Sequence, residues 1–106
     1  MDLNESTGAI ISQEEAQKFI NAFREKFGEQ VISSFIGSNH VRKVMCQEGC
    51  IGVRIYNGYN PEKESIALIL VGVDEAGQDM LKYGLIYDYM ATCPPTCPVD
   101  GLFPIK

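Results

Sequence analysis

Basic clusters are missing from this sequence. Nine lysines and arginines face fourteen acidic residues, for a formal net charge of −5, and the densest basic run is Arg42-Lys43. So small an electrostatic footprint argues against gripping the phosphate backbone of DNA or RNA, and equally against an anionic lipid surface. Long apolar runs are missing too. The longest, "IALILVGV", is far too short to span a bilayer, and the opening "MDLNESTGAII" has neither the basic nor the apolar region of a secretory signal. The expectation is a cytosolic protein with no nucleic-acid or membrane partner. Phosphate loops are absent as well: Gly49, Gly52 and Gly58 form no G-x-G-x-x-G run and precede no Lys-Ser/Thr pair. There is a single histidine, His40, with no serine nucleophile motif or second histidine beside it. It reads as a solvent-facing or locally bonded residue, and the chain as non-enzymatic.

The sequence does contain the material of one small domain. At 106 residues a chain can bury roughly two-thirds of the surface it exposes when unfolded. Residues 1–11 read as a loose leader and 92–106 as a tail rich in proline and cysteine. Ser12 opens a helix through the capping box "SQEE", with Ala16, Phe19, Ile20, Phe23 and Phe27 at helical spacing and Gly28 as a stop. The spacing predicts a helix over 13–26, its phenylalanine stripe in the core. "EQVISSFIG" predicts a short strand over about 30–36, and Ser38 a second helix with Val41, Val44 and Met45 buried.

Three further strands follow. In "CIGVRIYN", Ile51, Val53 and Ile55 alternate with Gly52, Arg54 and Tyr56, which predicts one buried face. "SIALILVGVD" is apolar on both faces and belongs in the centre of the sheet, and "GLIYDYMA" completes an antiparallel meander. The fold expected is α+β: a two-layer domain of order α-β-α-β-β-β, its mostly antiparallel sheet covered on one face by two helices. Asp74, Glu75 and Asp79 around Gly77 lack the ligand alternation of a calcium loop and read as a turn. Tyr56, Tyr59, Tyr83, Tyr87 and Tyr89 are either strand packing or an aromatic patch for a partner.

Four cysteines carry what chemistry the sequence offers. Cys46 and Cys50, and Cys93 and Cys97, form two C-x3-C pairs. Such spacing admits a tetrahedral metal site, and thiolates select zinc, copper(I) or an iron–sulfur cluster. Inert thiols, a disulfide and a cycling redox pair stand beside that reading. An extended Pro94-Pro95 would hold the Cα atoms of Cys93 and Cys97 about 12 Å apart, beyond disulfide reach, so these two act together only if the segment turns. Cys46 falls in the last helical turn, whereas Cys50 sits at a strand mouth. The candidate metal ligands are therefore Cys50, Cys93 and Cys97. A protein partner, or a second copy, is expected to use an edge strand.

The blocks "GCIGVRIYNGY", "LILVGVDEAGQDM" and "CPPTC", in that order, resemble a group of small uncharacterised proteins of Bacteroidetes-type bacteria. The resemblance runs from about residue 35 to 97 and implies a shared fold, with cysteine in the group's motifs at the positions of Cys50, Cys93 and Cys97 but not of Cys46. A fainter resemblance is to the A-type iron–sulfur carriers, through "GCIG" and the late cysteine pair. In that family a single glycine separates the late pair, where this chain has Pro-Pro-Thr. That resemblance implies cluster binding by the same three cysteines.

Overall fold

The computed structural model describes residues 3–28, 30–88, 90–98 and 100–102. Residues 1–2 of the leader, Tyr89, and Val99 and 103–106 of the tail lie outside them. The protein is α+β, with order α1 (Gln13–Phe27), β1 (Ser33–Phe35), α2 (Ser38–Met45), β2 (Cys50–Asn60), β3 (Ser65–Asp74), β4 (Ile86–Tyr87) and β5 (Ala91–Cys93). Among the described residues no helix is long and apolar enough to cross a membrane. The chain groups into two compact units, one of residues 1–8 and 36–90, the other of 9–35 and 91–106.

The first unit is the expected antiparallel meander, in strand order β2-β3-β4. Its framework is the long β2–β3 hairpin, paired from Asn60↔Ser65 at the loop to Cys50↔Asp74 at the far end, with a bulge between Cys50 and Gly52. The Asn60 side-chain oxygen accepts the backbone N–H groups of Glu62 (3.0 Å) and Lys63 (3.2 Å), which folds the connecting loop. β3 is central, as its two apolar faces predict, and Leu70, Val71 and Val73 are buried. β4 is brief, pairing only Leu70↔Tyr87 and Val71↔Ile86.

α2 lies on this sheet and brings the fully buried Val44 down onto Gly72. A Cβ on Gly72 would sit 2.8 Å from the Gln47 amide nitrogen, 3.2 Å from Cys50 Sγ and 3.3 Å from Val44 Cγ1, so the close approach of helix and strand requires glycine there. Further along, the His40 ring packs on Tyr87 with centroids 4.7 Å apart. α2 thus reaches across β3 to β4.

Two expectations about burial are corrected here. Met45 is exposed, and so are Val53 and Ile55 of β2, although the alternation of that strand marks them as its inward face. Their register partners Gly72 and Leu70 confirm that they share the face α2 covers. An eight-residue helix is only about 12 Å long, and it packs on β2 and β3 around Gly72. β2 extends past its cover.

In the second unit, α1 begins as its cap predicts: Ser12 Oγ accepts the Glu15 N–H at 3.0 Å. Gly28 ends the helix at φ +63°, donating its N–H to the Arg24 carbonyl. The phenylalanines do line one face, with Phe23 and Phe27 in ring contact at 4.9 Å, yet Phe19 is 56% and Phe27 52% exposed. The reason is a shortage of sheet. β1 does not join the meander; it pairs antiparallel with the additional strand β5 over three positions, Ser33↔Cys93, Ser34↔Thr92 and Phe35↔Ala91. β1 is shorter than the strand its composition predicts, and β5, at three residues, is too short for periodicity to reveal.

Burial therefore ranks the apolar residues differently from periodicity. Leu70→Ala is expected to cost about 2–5 kcal/mol in urea unfolding, and Phe19→Ala about 1 kcal/mol or less. Equal losses at the two positions would refute this description of the core.

Candidate functional site

The four cysteines occupy three different environments. Cys46 is exposed and caps α2, donating its backbone N–H to the Arg42 carbonyl at 2.8 Å. Cys50 is half-buried at the start of β2, and its thiol donates to the Gly52 carbonyl at 3.1 Å. Cys93 and Cys97 are joined in a disulfide, their Cα atoms 4.8 Å apart. The Cys93-Pro94 and Pro94-Pro95 peptide bonds are both cis, and the chain doubles back instead of running extended. Thr96 N–H donates to the Thr92 carbonyl at 2.8 Å, and Thr92 Oγ1 to the Pro94 carbonyl at 3.1 Å. Cys93 is held by the β1–β5 ladder and is 1% exposed; Cys97 is half-buried.

Of the three candidate ligands, then, the structure brings Cys93 and Cys97 together. Cys50 belongs to the other compact unit. Among the described residues no group of three or more His, Cys, Asp or Glu side chains has metal-holding geometry. A metal on Cys50, Cys93 and Cys97 requires first that the disulfide be reduced, because the thiolate is the ligand.

The other notable geometry is the outer edge of β2. The ladder shows which backbone groups are spoken for. In β3, the Gly72 carbonyl accepts from Met80 N–H (2.8 Å) and Asp74 N–H donates to Gln78 (3.0 Å), so these residues point their backbone groups away from β2. Val53↔Gly72 is therefore a non-hydrogen-bonded pair, and the bonding pairs are its neighbours, beginning with Arg54↔Val71. By the same alternation Val53, Ile55, Asn57 and Tyr59 direct their N–H and C=O groups outward, where no described strand pairs with them. Past the bulge at its start, the strand carries few of the usual guards. It has no proline, no lysine and one charge, Arg54, and Ile55 and Tyr59 are 54% and 60% exposed.

Arg54 itself is neutralised. Its Nη1 lies 2.5 Å from Asp79 Oδ1 and its Nη2 donates to the Gly77 carbonyl at 3.2 Å, while the Tyr56 hydroxyl donates to Asp79 Oδ2. This clamp runs over the face of the sheet opposite α2, the face that also bears Val71 and Val73. It ties β2 to the turn after β3. Each group responds to the contact. The hydrogen bond from Tyr56, with further help from Arg54, lowers the Asp79 pKa against the opposing effect of burial. The hydrogen bond to Asp79 raises the pKa of Tyr56 and of Arg54.

The turn reading of this region holds for Asp74, whose Oδ1 accepts the N–H groups of Ala76 (2.9 Å) and Gln78 (3.0 Å), and for Gly77 at φ +78°. Asp79 has a separate role that the turn reading missed. The signal available was an arginine and a tyrosine two apart on one strand face, with a carboxylate just past the next turn. Among the tyrosines, Tyr87 packs on His40, Tyr56 joins the clamp and Tyr83 is exposed.

No family model, no curated protein and no solved structure matches the chain.

The clamp gives stability a pH dependence of known sign. A depressed Asp79 pKa stabilises the fold above the ordinary carboxylate value of about 3.9, and the contribution is lost as pH falls through the lower folded value. A raised Tyr56 pKa stabilises below about 10, and that contribution is lost as pH rises through the higher folded value. Unfolding midpoints measured from pH 2 to 11 should fall at both ends, and Asp79→Asn should flatten both falls. An unchanged profile in Asp79→Asn would remove the clamp from the account.

Proposed function

We propose that this chain is a small binding protein that recognises an extended protein segment by adding it as a strand to the free edge of β2. The observation that carries this reading is the run of outward backbone groups at Val53, Ile55, Asn57 and Tyr59 on an exposed, apolar, nearly uncharged strand. Main-chain hydrogen bonds would supply the affinity, and the side chains on either face the selectivity. The acidic chain suits a protein partner better than a nucleic acid.

A soluble peptide of alternating valine and threonine tests the edge. It should bind saturably and slow amide exchange at Val53, Ile55, Asn57 and Tyr59, while Arg54 and Tyr56, already bonded to β3, change little. Protection spread evenly along β2, or no binding, would count against strand addition.

The Cys93–Cys97 disulfide favours a second reading, a thiol–disulfide couple. A thiolate from a reducing dithiol would attack the more accessible Cys97 Sγ, and the sulfur–sulfur bond would break with Cys93 leaving as thiolate. The reductant's second thiol would then displace Cys97, leaving the protein a dithiol and the reductant a disulfide. Closing so short a loop contributes only about 2 kcal/mol to stability, so cleavage need not unfold the chain. A structural disulfide belongs in an oxidising compartment, and a cycling one is compatible with the cytosol. Thiol titration should count the two free cysteines, Cys46 and Cys50, in the native protein and the Cys93 and Cys97 thiols in addition after mild reduction. Reduced protein should keep its far-ultraviolet circular dichroism. Loss of the fold on reduction would make the bond structural and end this second reading.

A further inference from the structure

We infer that the occupant of the β2 edge is a second copy of this chain, docked antiparallel about a two-fold axis at Tyr56. The inference rests on the strand-addition reading above and adds the identity and register of the partner.

The outer edge of β2 is self-complementary. Two identical strands meeting edge to edge in antiparallel fashion pair residues whose numbers sum to a constant. With the axis at Tyr56, Val53 faces Tyr59 of the second copy and Ile55 faces its Asn57, and the reciprocal pairs follow. All four outward residues of both strands are then used, giving about eight hydrogen bonds. Neighbouring registers do worse. An axis at Ile55 pairs Tyr59 with Ile51, which sits in the β-bulge. An axis at Asn57 pairs Val53 with Pro61, which has no N–H to donate. An axis at Arg54 sets two guanidinium groups opposite each other.

Charge and shape agree with this register. Each chain carries −5, yet between Val53 and Tyr59 the strand holds only Arg54, already paired with Asp79 of its own chain, and Glu5 of the N-terminal segment lies beside Val53 and Arg54 at one end. Like copies can therefore approach along this edge without a facing pair of unscreened charges. Arg54 would lie opposite Gly58 of the second copy, which offers neither charge nor bulk. On the α2 face, the uncovered Val53 gains a tyrosine and the uncovered Ile55 gains the Asn57 side chain as neighbours. At the far side of the sheet β4 is only two residues long, too short to continue the pairing. The contact is isologous and closes at two copies instead of growing into a filament.

The test uses the full chain and measures mass by sedimentation equilibrium at about 100 µM, where micromolar association is visible. A dimer is expected. Ile55→Pro removes an outward N–H that β3 does not use, so the hairpin should survive while the dimer weakens by on the order of a hundredfold or more. Ile55→Lys provides a second block that leaves every backbone group in place. Register is read by oxidative cross-linking in a background in which Cys46 and Cys50 are serine. Tyr56→Cys should form a symmetric disulfide, because residues on the axis face each other as a non-hydrogen-bonded pair about 4.5 Å apart at Cα. Arg54→Cys, which breaks the same clamp, should not.

A monomer at this concentration overturns the inference, as does a dimer that persists in both Ile55 variants. Cross-linking at Arg54→Cys in place of Tyr56→Cys overturns the register. A monomer that still binds the valine–threonine peptide loses the second copy as partner but keeps strand addition.

Discussion

The β2–β3 hairpin is the constraint from which the first unit is built. Its ladder decides which backbone groups of β2 are consumed and which remain, and because side chains alternate, it also decides which residues share a face. Gly72 opposite Val53 marks the place where α2 comes closest. Val71 opposite Arg54 marks the other face, which the Arg54–Asp79 clamp crosses. The clamp and the outward edge of β2 take their geometry from that register, and a slip of one residue would exchange the two faces.

The two faces are covered by different means. On one, α2 supplies Val44 as a fully buried side chain and His40 as a ring contact for Tyr87. On the other, Arg54, Tyr56 and Asp79 form a polar strap above Val71 and Val73. The strap draws β2 toward the turn beyond β3 and neutralises the one charge that would otherwise guard the edge. The same interaction therefore stabilises the sheet and leaves its outer strand receptive. The short helix has a parallel effect, since it cannot cover the length of β2 and leaves Val53 and Ile55 in contact with water.

The cysteines divide along the lines of the two units. Cys50 is tied to its own strand by a hydrogen bond to Gly52, and it crowds against Gly72. Cys93 and Cys97 close a small loop at the end of β5, one sulfur sealed in and the other reachable. Redox state is the variable that separates the readings of this segment, because a disulfide offers no thiolate to a metal and a dithiol offers two.

The sequence by itself determined the elements whose signals are local. Ser12 and Gly28 bound α1, the alternation of β2 and the doubly apolar β3 identify an antiparallel meander, and the Asp74–Gly77 turn is legible because those residues bond to their own neighbourhood. The C-x3-C spacing likewise announced that Cys93 and Cys97 would act as a pair only if the proline segment turned. Tertiary structure decided what depends on how much cover each apolar face receives. Periodicity shows that Phe19, Val53 and Ile55 lie on apolar faces, but not that α2 is too short for β2 or that β1 leaves the meander for β5. The Asp79 clamp and the outward set of β2 amides are likewise products of strand register, which couples residues far apart in the chain and has no local signature to read.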